Sequence, residues 1–423
     1  MISGVTFCGN LRNQRALIFP AELAEKRRRF GQTPCRNRLR ALLEREKCVG
    51  YVFRFDYSFI FAKKLNMLRF IVKRILYGFL LMLGVITLVF FLFTVLPSDP
   101  ARMLMGQRSD IQTEEAIRKE MGLDLPVGVQ YLAYLNDLSP ISWHRTDDED
   151  SFWFLDNKDY HYVKICSFAR SAIVLKAPFL RRSYQTKRPV MEILTEAFPK
   201  TALLAVVSII FAILVGIFIG VLCAIFKDTW FDKVSLFFSV LGMSLPSFFA
   251  AILFAWVFAF LLADVTGLSM FGSLYTVDNY GSGQYLDLKN LILPAITLGI
   301  RPLAVVVELT KNSVLNVLSQ DYIRTAKAKG LPYRTIIVRH TLKNALNPVV
   351  TAISGWLASL FAGAVFVEYI FDWKGMGVVI VDALDKYDFP VVMGSLLYVS
   401  VILVIINIMV DIIYGWLDPR VKA

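Results

Sequence analysis

Six stretches of this chain are long and apolar enough to cross a lipid bilayer, and that pattern constrains the fold more than any other feature. A helix needs about 20 residues to span the hydrocarbon core. The runs lie near 75–96, 201–226, 234–263, 291–311, 347–370 and 391–414. Lipid offers no water to an exposed backbone, so runs of this length predict helices, whose N–H and C=O groups are satisfied internally. The expected fold class is an all-α membrane protein with six transmembrane helices. Composition agrees: 56% of the 423 residues are hydrophobic and only 19% are charged.

The formal charge of +12 suggests nucleic-acid binding until it is located. Residues 1–66 hold 14 Lys/Arg against 5 Asp/Glu, and the other 357 residues hold 32 against 29. The basicity is therefore mainly an N-terminal extension, and no nucleic-acid partner is expected. The extension has no run long enough for a span or signal peptide. Met67-Leu68-Arg69-Phe70, followed by Lys73-Arg74 and an apolar helix, reads as a natural start. The extension then reads as an upstream mis-start or dispensable tail, the alternative being a basic arm on anionic lipid.

Short connections set the orientation. Lys73 and Arg74 precede the first span, Lys227 and Lys233 lie in the turn at 227–233, and 312–346 is rich in Arg and Lys. The connections 264–290 and 371–390 are richer in Asp. The alternation predicts both termini in the cytoplasm and a long periplasmic loop at 97–200. Within that loop Gln112–Met121 reads as a short polar helix. Residues 138–185, rich in aromatic and charged side chains, read as an insertion. The remaining division is a first transmembrane helix within 67–96 and a membrane core at 201–423.

Inside the spans, Gly216 and Gly220 form a G-x-x-x-G pair that fits either close helix packing or the ordinary glycine content of membrane helices. In Ser244-Leu245-Pro246-Ser247 the proline removes a backbone donor and predicts a kink, which either shapes a pathway or is simply tolerated. Arg301 falls near the middle of the fourth span, where an ionisable group is expensive and faces a cavity or partner. Glu308 lies seven residues on, closer to the cytoplasm; it either shares that face or reaches headgroup water. The five cysteines (8, 35, 48, 166 and 223) show no paired spacing, and the three histidines are scattered, so neither disulfide framework, metal site nor cofactor is expected.

The connection Gln320-Asp321-Tyr322-Ile323-Arg324-Thr325-Ala326-Lys327-Ala328-Lys329-Gly330-Leu331-Pro332-Tyr333 is the most informative stretch. Tyr322 to Lys329 favours helix. Gly330 suits a left-handed cap, Leu331 the apolar residue after it, and Pro332 the first residue of a second helix running to about Ala345. That helix should stop before Asn347-Pro348, where the fifth span begins. The small residues Ala326, Ala328 and Gly330 would let a partner approach closely, and the cations favour an acidic surface. Taken alone, the residues fit a positive loop resting on lipid headgroups somewhat better.

This segment resembles the cytoplasmic loop of ABC importer permeases, in particular the dipeptide, oligopeptide and nickel branch. Arg324-Thr325-Ala326 stands where the general motif has Glu-Ala-Ala, six residues before the glycine at Gly330. Arg339 to Pro348 resembles the branch's continuation into the fifth span. Gly363 to Glu368, then Phe371-Asp372-Trp373-Lys374-Gly375-Met376-Gly377, resembles its outer turn. Asp388-Phe389-Pro390-Val391-Val392 looks like the start of the sixth span, and Asp411 with Leu417-Asp418-Pro419-Arg420 like the C-terminal end. Met121-Gly122-Leu123-Asp124 with Gln130-Tyr131 is similar to the start of the first periplasmic loop. The resemblance covers about 67–423 except the insertion, where a usual Gly-Asp-Leu-Gly stretch is missing.

The resemblance implies a transport subunit rather than an enzyme, in a bacterial inner membrane. The chain lacks a G-x-x-x-x-G-K-[ST] phosphate loop, and separate ATP-binding subunits would supply ATP hydrolysis. The segment around Arg324, Thr325, Ala326, Ala328, Gly330 and Leu331 would be the coupling helix that docks on them. A sister permease would complete the pathway, a periplasmic solute-binding protein would deliver peptides, and lipid would surround the spans. Arg301, Ser244, Pro246 and Glu308 are the pathway candidates. A nickel-chelate importer is the nearest alternative. An ion-coupled transporter would call for inverted repeats and buried carboxylates, and a membrane enzyme for a convergent catalytic cluster; neither pattern stands out.

Overall fold

The computed structural model of the chain describes residues 72–95, 118, 124–146, 162–168, 170–277 and 283–417. The extension at 1–66, most of the expected helix at Gln112–Met121, and the Asp418-Pro419-Arg420 end lie outside them.

Helix dominates. Among the described residues four helices are long and apolar enough to cross a membrane: α1 (Val72–Phe93), α3 (Val190–Ile225), α6 (Lys289–Leu318) and the Phe389–Val410 part of α10 (Phe389–Leu417). The bent pair α4 (Trp230–Ser244) and α5 (Ser247–Leu261) makes a fifth crossing if it is a single span. The stretch expected as a span at 347–370 is helical within α8 (Leu342–Ile370), whose distinctly apolar part is Ser359–Ile370. Short helices α2 (Val127–Leu138), α7 (Asp321–Ala328) and α9 (Met376–Asp385) lie between them, with single turns at Ala263–Thr266 and Tyr333–Thr335.

Three expectations change. The predicted kink at Pro246 is a break: α4 and α5 meet at 116°. Pro246 caps α5 with φ −59° and ψ 141°, and Leu245 before it is extended at φ −74° and ψ 129°. Proline disfavours the helical region for its predecessor, so two residues leave the helix rather than one bond being lost. The second span begins before position 201, at Val190, and runs through Pro199. Its first turns are held because Val190, Leu194 and Ala197 are buried against Met376, Ala383, Val391 and Val392. Burial there outweighs the missing proline donor.

The chain is also not purely α. The insertion contains a three-stranded antiparallel sheet in the order β1 (Ile141–Arg145), β3 (Ser171–Lys176), β2 (Tyr162–Phe168). Ile141 pairs with Leu175, and Val163 pairs with Leu175 from the other side. Burial alternates residue by residue along β1 and β3, the period-two pattern of a strand with one covered face. A second hairpin joins β4 (Tyr275–Val277) to β5 (Gln284–Leu286).

The helical core forms where α3, α5, α6 and α8 meet, around Leu204, Ala251, Leu298, Leu360 and Trp373. The closest seam is α3 on α6. A Cβ at Gly220 would lie 2.7 Å from the Val307 carbonyl oxygen, and one at Gly216 would lie 2.8 Å from a Val306 methyl. The G-x-x-x-G pair is therefore a packing surface, where missing side chains bring two backbones together.

Candidate functional site

The elbow follows from local sequence, one residue at a time. Asp321 sits in the first turn of α7 and Lys327 in the last, each sign placed where the helix dipole favours it. The helix ends in a Schellman cap. The Gly330 N–H donates to the Lys327 carbonyl at 2.9 Å and the Leu331 N–H to the Ala326 carbonyl at 3.4 Å. Gly330 has φ +73°, a conformation that costs a glycine nothing and other residues about 1–2 kcal/mol. Pro332, at φ −61° and ψ 142°, stands just before the second helix rather than as its first residue. Its carbonyl accepts from the Thr335 and Ile336 N–H groups at 2.9 and 3.2 Å.

Beyond the cap the expected stop at Asn347 does not occur. A turn at Tyr333–Thr335, a π segment at Ile336–Thr341 and α8 follow without interruption. Pro348 lies inside α8, flanked by Ala345 and Val349, 1% and 0% exposed. Packing on both sides of the proline holds the helix through it. The second arm of the elbow and the following span are one rod.

Ile323, Ala326 and Ile336 are buried together against Val317 and Leu318 at the end of α6. Fully burying an isoleucine is worth about 1.5–3 kcal/mol, so this seam fixes α7 to both neighbouring helices. Ala326 therefore belongs to the inner seam, which corrects its expected place on the outer surface. Arg324, Thr325, Ala328, Gly330 and Leu331 are exposed, as are Lys327 and Lys329. Arg324 lies 3.3 Å from Asp321, an exposed pair of the kind that adds little stability. The Thr325 hydroxyl donates to the Asp321 carbonyl at 3.0 Å. The outer face is thus small-residue and cationic, on a helix locked from below.

The pathway candidates are more dispersed. Arg301 is exposed, its guanidinium 5.9 Å from the centre of the Trp356 ring, within cation–π range. Glu308 is half-buried on the same helix. Ser244 and Pro246 are exposed at the α4–α5 break, with the Ser244 hydroxyl donating to the Val240 carbonyl at 2.8 Å. Among the described residues the four share no hydrogen bond or ion pair.

Sequence reasoning missed three groups of polar contacts. Near the elbow, Lys311 of α6 lies 2.6 Å from Asp232 of α4. At the far end, the Gly377 N–H donates to Glu368 Oε2 at 2.6 Å, and the Met376 N–H donates to the Thr201 hydroxyl at 2.8 Å. The Trp373 indole N–H donates to the Lys200 carbonyl at 3.1 Å. Asp388 accepts from the Ser183 hydroxyl at 2.5 Å and the Tyr184 N–H at 3.0 Å, pinning the end of the insertion to the start of α10. Glu368 and Asp388 stood out only through the resemblance; nothing local signals their partners. Asp232 had one local cue, an acid at a helix start.

Comparison with known proteins fits this architecture. Residues 216–423 match the family described as binding-protein-dependent transport system inner membrane component, and residues 67–144 match the family of its N-terminal part. The dipeptide transport system permease protein of Alkalihalophilus pseudofirmus is 32% identical over 372 residues, covering 84% of this chain and 100% of that protein. The glutathione transport system permease protein of Salmonella typhimurium is also 32% identical, over 84% of this chain and 99% of its own length. Among solved structures, an inward-facing methionine ABC transporter covers 54% of this chain and 97% of its own at 16% identity, with a TM-score of 0.43, a likeness too loose to carry an argument. The relatives match over nearly their whole length, and so the chain belongs to the binding-protein-dependent transport system inner membrane components, as a membrane-spanning permease of an ABC importer.

Proposed function

We propose that the chain forms, with a sister permease, the pathway by which di- or oligopeptides cross a bacterial inner membrane. A periplasmic solute-binding protein delivers the peptide, and separate ATP-binding subunits hydrolyse ATP. The chain crosses the bilayer six times with both termini in the cytoplasm, and the α7 elbow is the coupling helix. Transport of a dipeptide and of glutathione by the two relatives, as their names state, supports the substrate class.

The observation that carries the elbow's role is mechanical. Its inner side is an apolar seam on two helices, its turn is fixed by a Schellman cap, and its second arm continues unbroken into α8. A push on the exposed face of α7 therefore reaches the spans instead of being absorbed by a loop. The cations Arg324, Lys327 and Lys329 suit an acidic groove on the partner.

A crosslink tests this directly. In a background without the five native cysteines, Ala328→Cys should join to an ATP-binding subunit through a short bifunctional thiol reagent. Lys374→Cys, at the far end, should not. Crosslinking at both positions or at neither would contradict the assignment, as would peptide uptake abolished by an uncoupler while ATP persists.

A further inference from the structure

We infer that the Asp232–Lys311 ion pair is a positioning clamp, through which displacement of α6 is handed to α4 and so to the α4–α5 break. The inference rests on the elbow acting as the coupling element.

α6 is gripped at two levels. At its end, Val317 and Leu318 pack under the elbow helix α7. About two turns earlier, Val306, Val307 and Thr310 lie against Gly216 and Gly220 of α3. Lys311 is the residue after Thr310, beside this glycine seam. Its ammonium reaches away to Asp232 at 2.6 Å, with the two side chains only 16% and 6% exposed. On the α4 side the Asp232 carboxylate also accepts the Asp228 N–H at 3.2 Å and sits in the first turn of its helix. α6 therefore touches α3 through backbone-close packing, and it holds the start of α4 through one enclosed charge pair.

An enclosed ion pair is a poor choice for stability alone. Desolvation offsets most of its attraction, and an apolar pair of similar volume holds two helices at least as well. What it adds is a fixed point: two enclosed opposite charges 2.6 Å apart resist being drawn apart, because neither finds water or another partner on the way, whereas methyl groups slide. Asp232 is already favoured by the helix start and by Asp228, so the lysine is not needed to keep α4 helical. Its consequence lies further along α4, which runs past Ile300 and Ala304 of α6 at Gly242 and ends at Ser244, the edge of the 116° break. A shift of α6 driven through α7 would move α4 as a unit and change the opening at that break.

The experiment uses the complete transporter in proteoliposomes: this chain, its sister permease, the ATP-binding subunits and a dipeptide-loaded binding protein. Asp232→Asn should leave assembly and the KM for loaded binding protein unchanged while lowering peptide transported per ATP hydrolysed about fivefold. Lys311→Gln should do the same, and Asp232→Asn with Lys311→Gln should be no worse than either alone. Lys311→Arg, which keeps charge and donors, should stay close to the native ratio. A native ratio in both single variants would overturn the clamp. So would losses that multiply in the double variant, or a loss in Lys311→Arg equal to that in Lys311→Gln. Should Asp232→Asn fail to assemble, Lys311→Gln carries the test alone, and a native ratio there would overturn the clamp. Wild-type uptake is the control for the underlying reading: if it does not depend on ATP, the coupling assignment fails; if it does and the variants match it, only the clamp fails.

Discussion

The two ends of the helical core are held by opposite means. At the far end the turn after α8 is fixed by buried polar bonds, with Glu368 and Trp373 both fully enclosed. At the elbow end an apolar seam lies beneath a surface of exposed cations. A buried polar network is satisfied in one arrangement and costly in any other, so it suits a part that must hold one conformation. An apolar seam tolerates small shifts, and here it leaves the charged face of the elbow open to a partner. The difference indicates that the far end sets a fixed frame, while the elbow end receives a force.

The comparison breaks most sharply at the seam. Ile323→Asp should place a charge where no partner waits, detaching α7 from α6 and reducing peptide uptake by more than about tenfold. Membrane insertion should persist, so the loss would be read against the amount of protein in the membrane. Normal uptake would mean the elbow is not held by its underside.

The far end should respond in stability rather than in coupling. Glu368→Ala strips the acceptor from the Gly377 N–H and leaves a cavity, costing about 2–4 kcal/mol. A thermal-unfolding scan in detergent would read this as a lower Tm. Glu368→Gln keeps an acceptor and should cost distinctly less. If both variants kept the native Tm but lost transport, the far end would be part of the moving machinery and the contrast would fail.

The smallest effect is expected at Arg301, which belongs to neither region. Arg301→Ala removes the contact over Trp356, worth about 0.5–1 kcal/mol at an exposed site. It should lower transport severalfold while assembly is intact; unchanged uptake would remove Arg301 from the pathway.

What the sequence made legible was local. Five of the apolar runs correspond to helices or helix parts that pass as crossings, counting the bent pair once, and Gly330-Leu331 announced the helix cap because a left-handed turn has few residues that suit it. Gly216 and Gly220 suggested close packing, and α6 is indeed the helix they face. Where tertiary packing opposed a local rule, reading failed. Pro348 looked like a boundary and the second span was placed from 201, past Pro199, yet burial of Leu194 before Pro199 and of Ala345 and Val349 around Pro348 carries each helix through. Pro246 is itself exposed, between half-buried Leu245 and Ser247, and there the helix breaks. The sheet in the insertion was missed because its strands are short and interrupted. Asp232 with Lys311, and Ser183 with Asp388, meet only because the topology returns distant segments to one place, which no periodicity encodes.

The central claim is that a stiff α7 elbow passes a partner's movement into the spans, and Gly330→Val tests it most directly. A branched side chain at φ +73° should cost about 1–3 kcal/mol and loosen the cap, without touching the apolar seam or the outer cations. In the assembled transporter the account predicts that ATP-binding subunits still copurify while peptide uptake per ATP hydrolysed falls about tenfold. Native uptake per ATP with the cap demonstrably loosened, as read by faster amide exchange at Gly330 and Leu331, would contradict it.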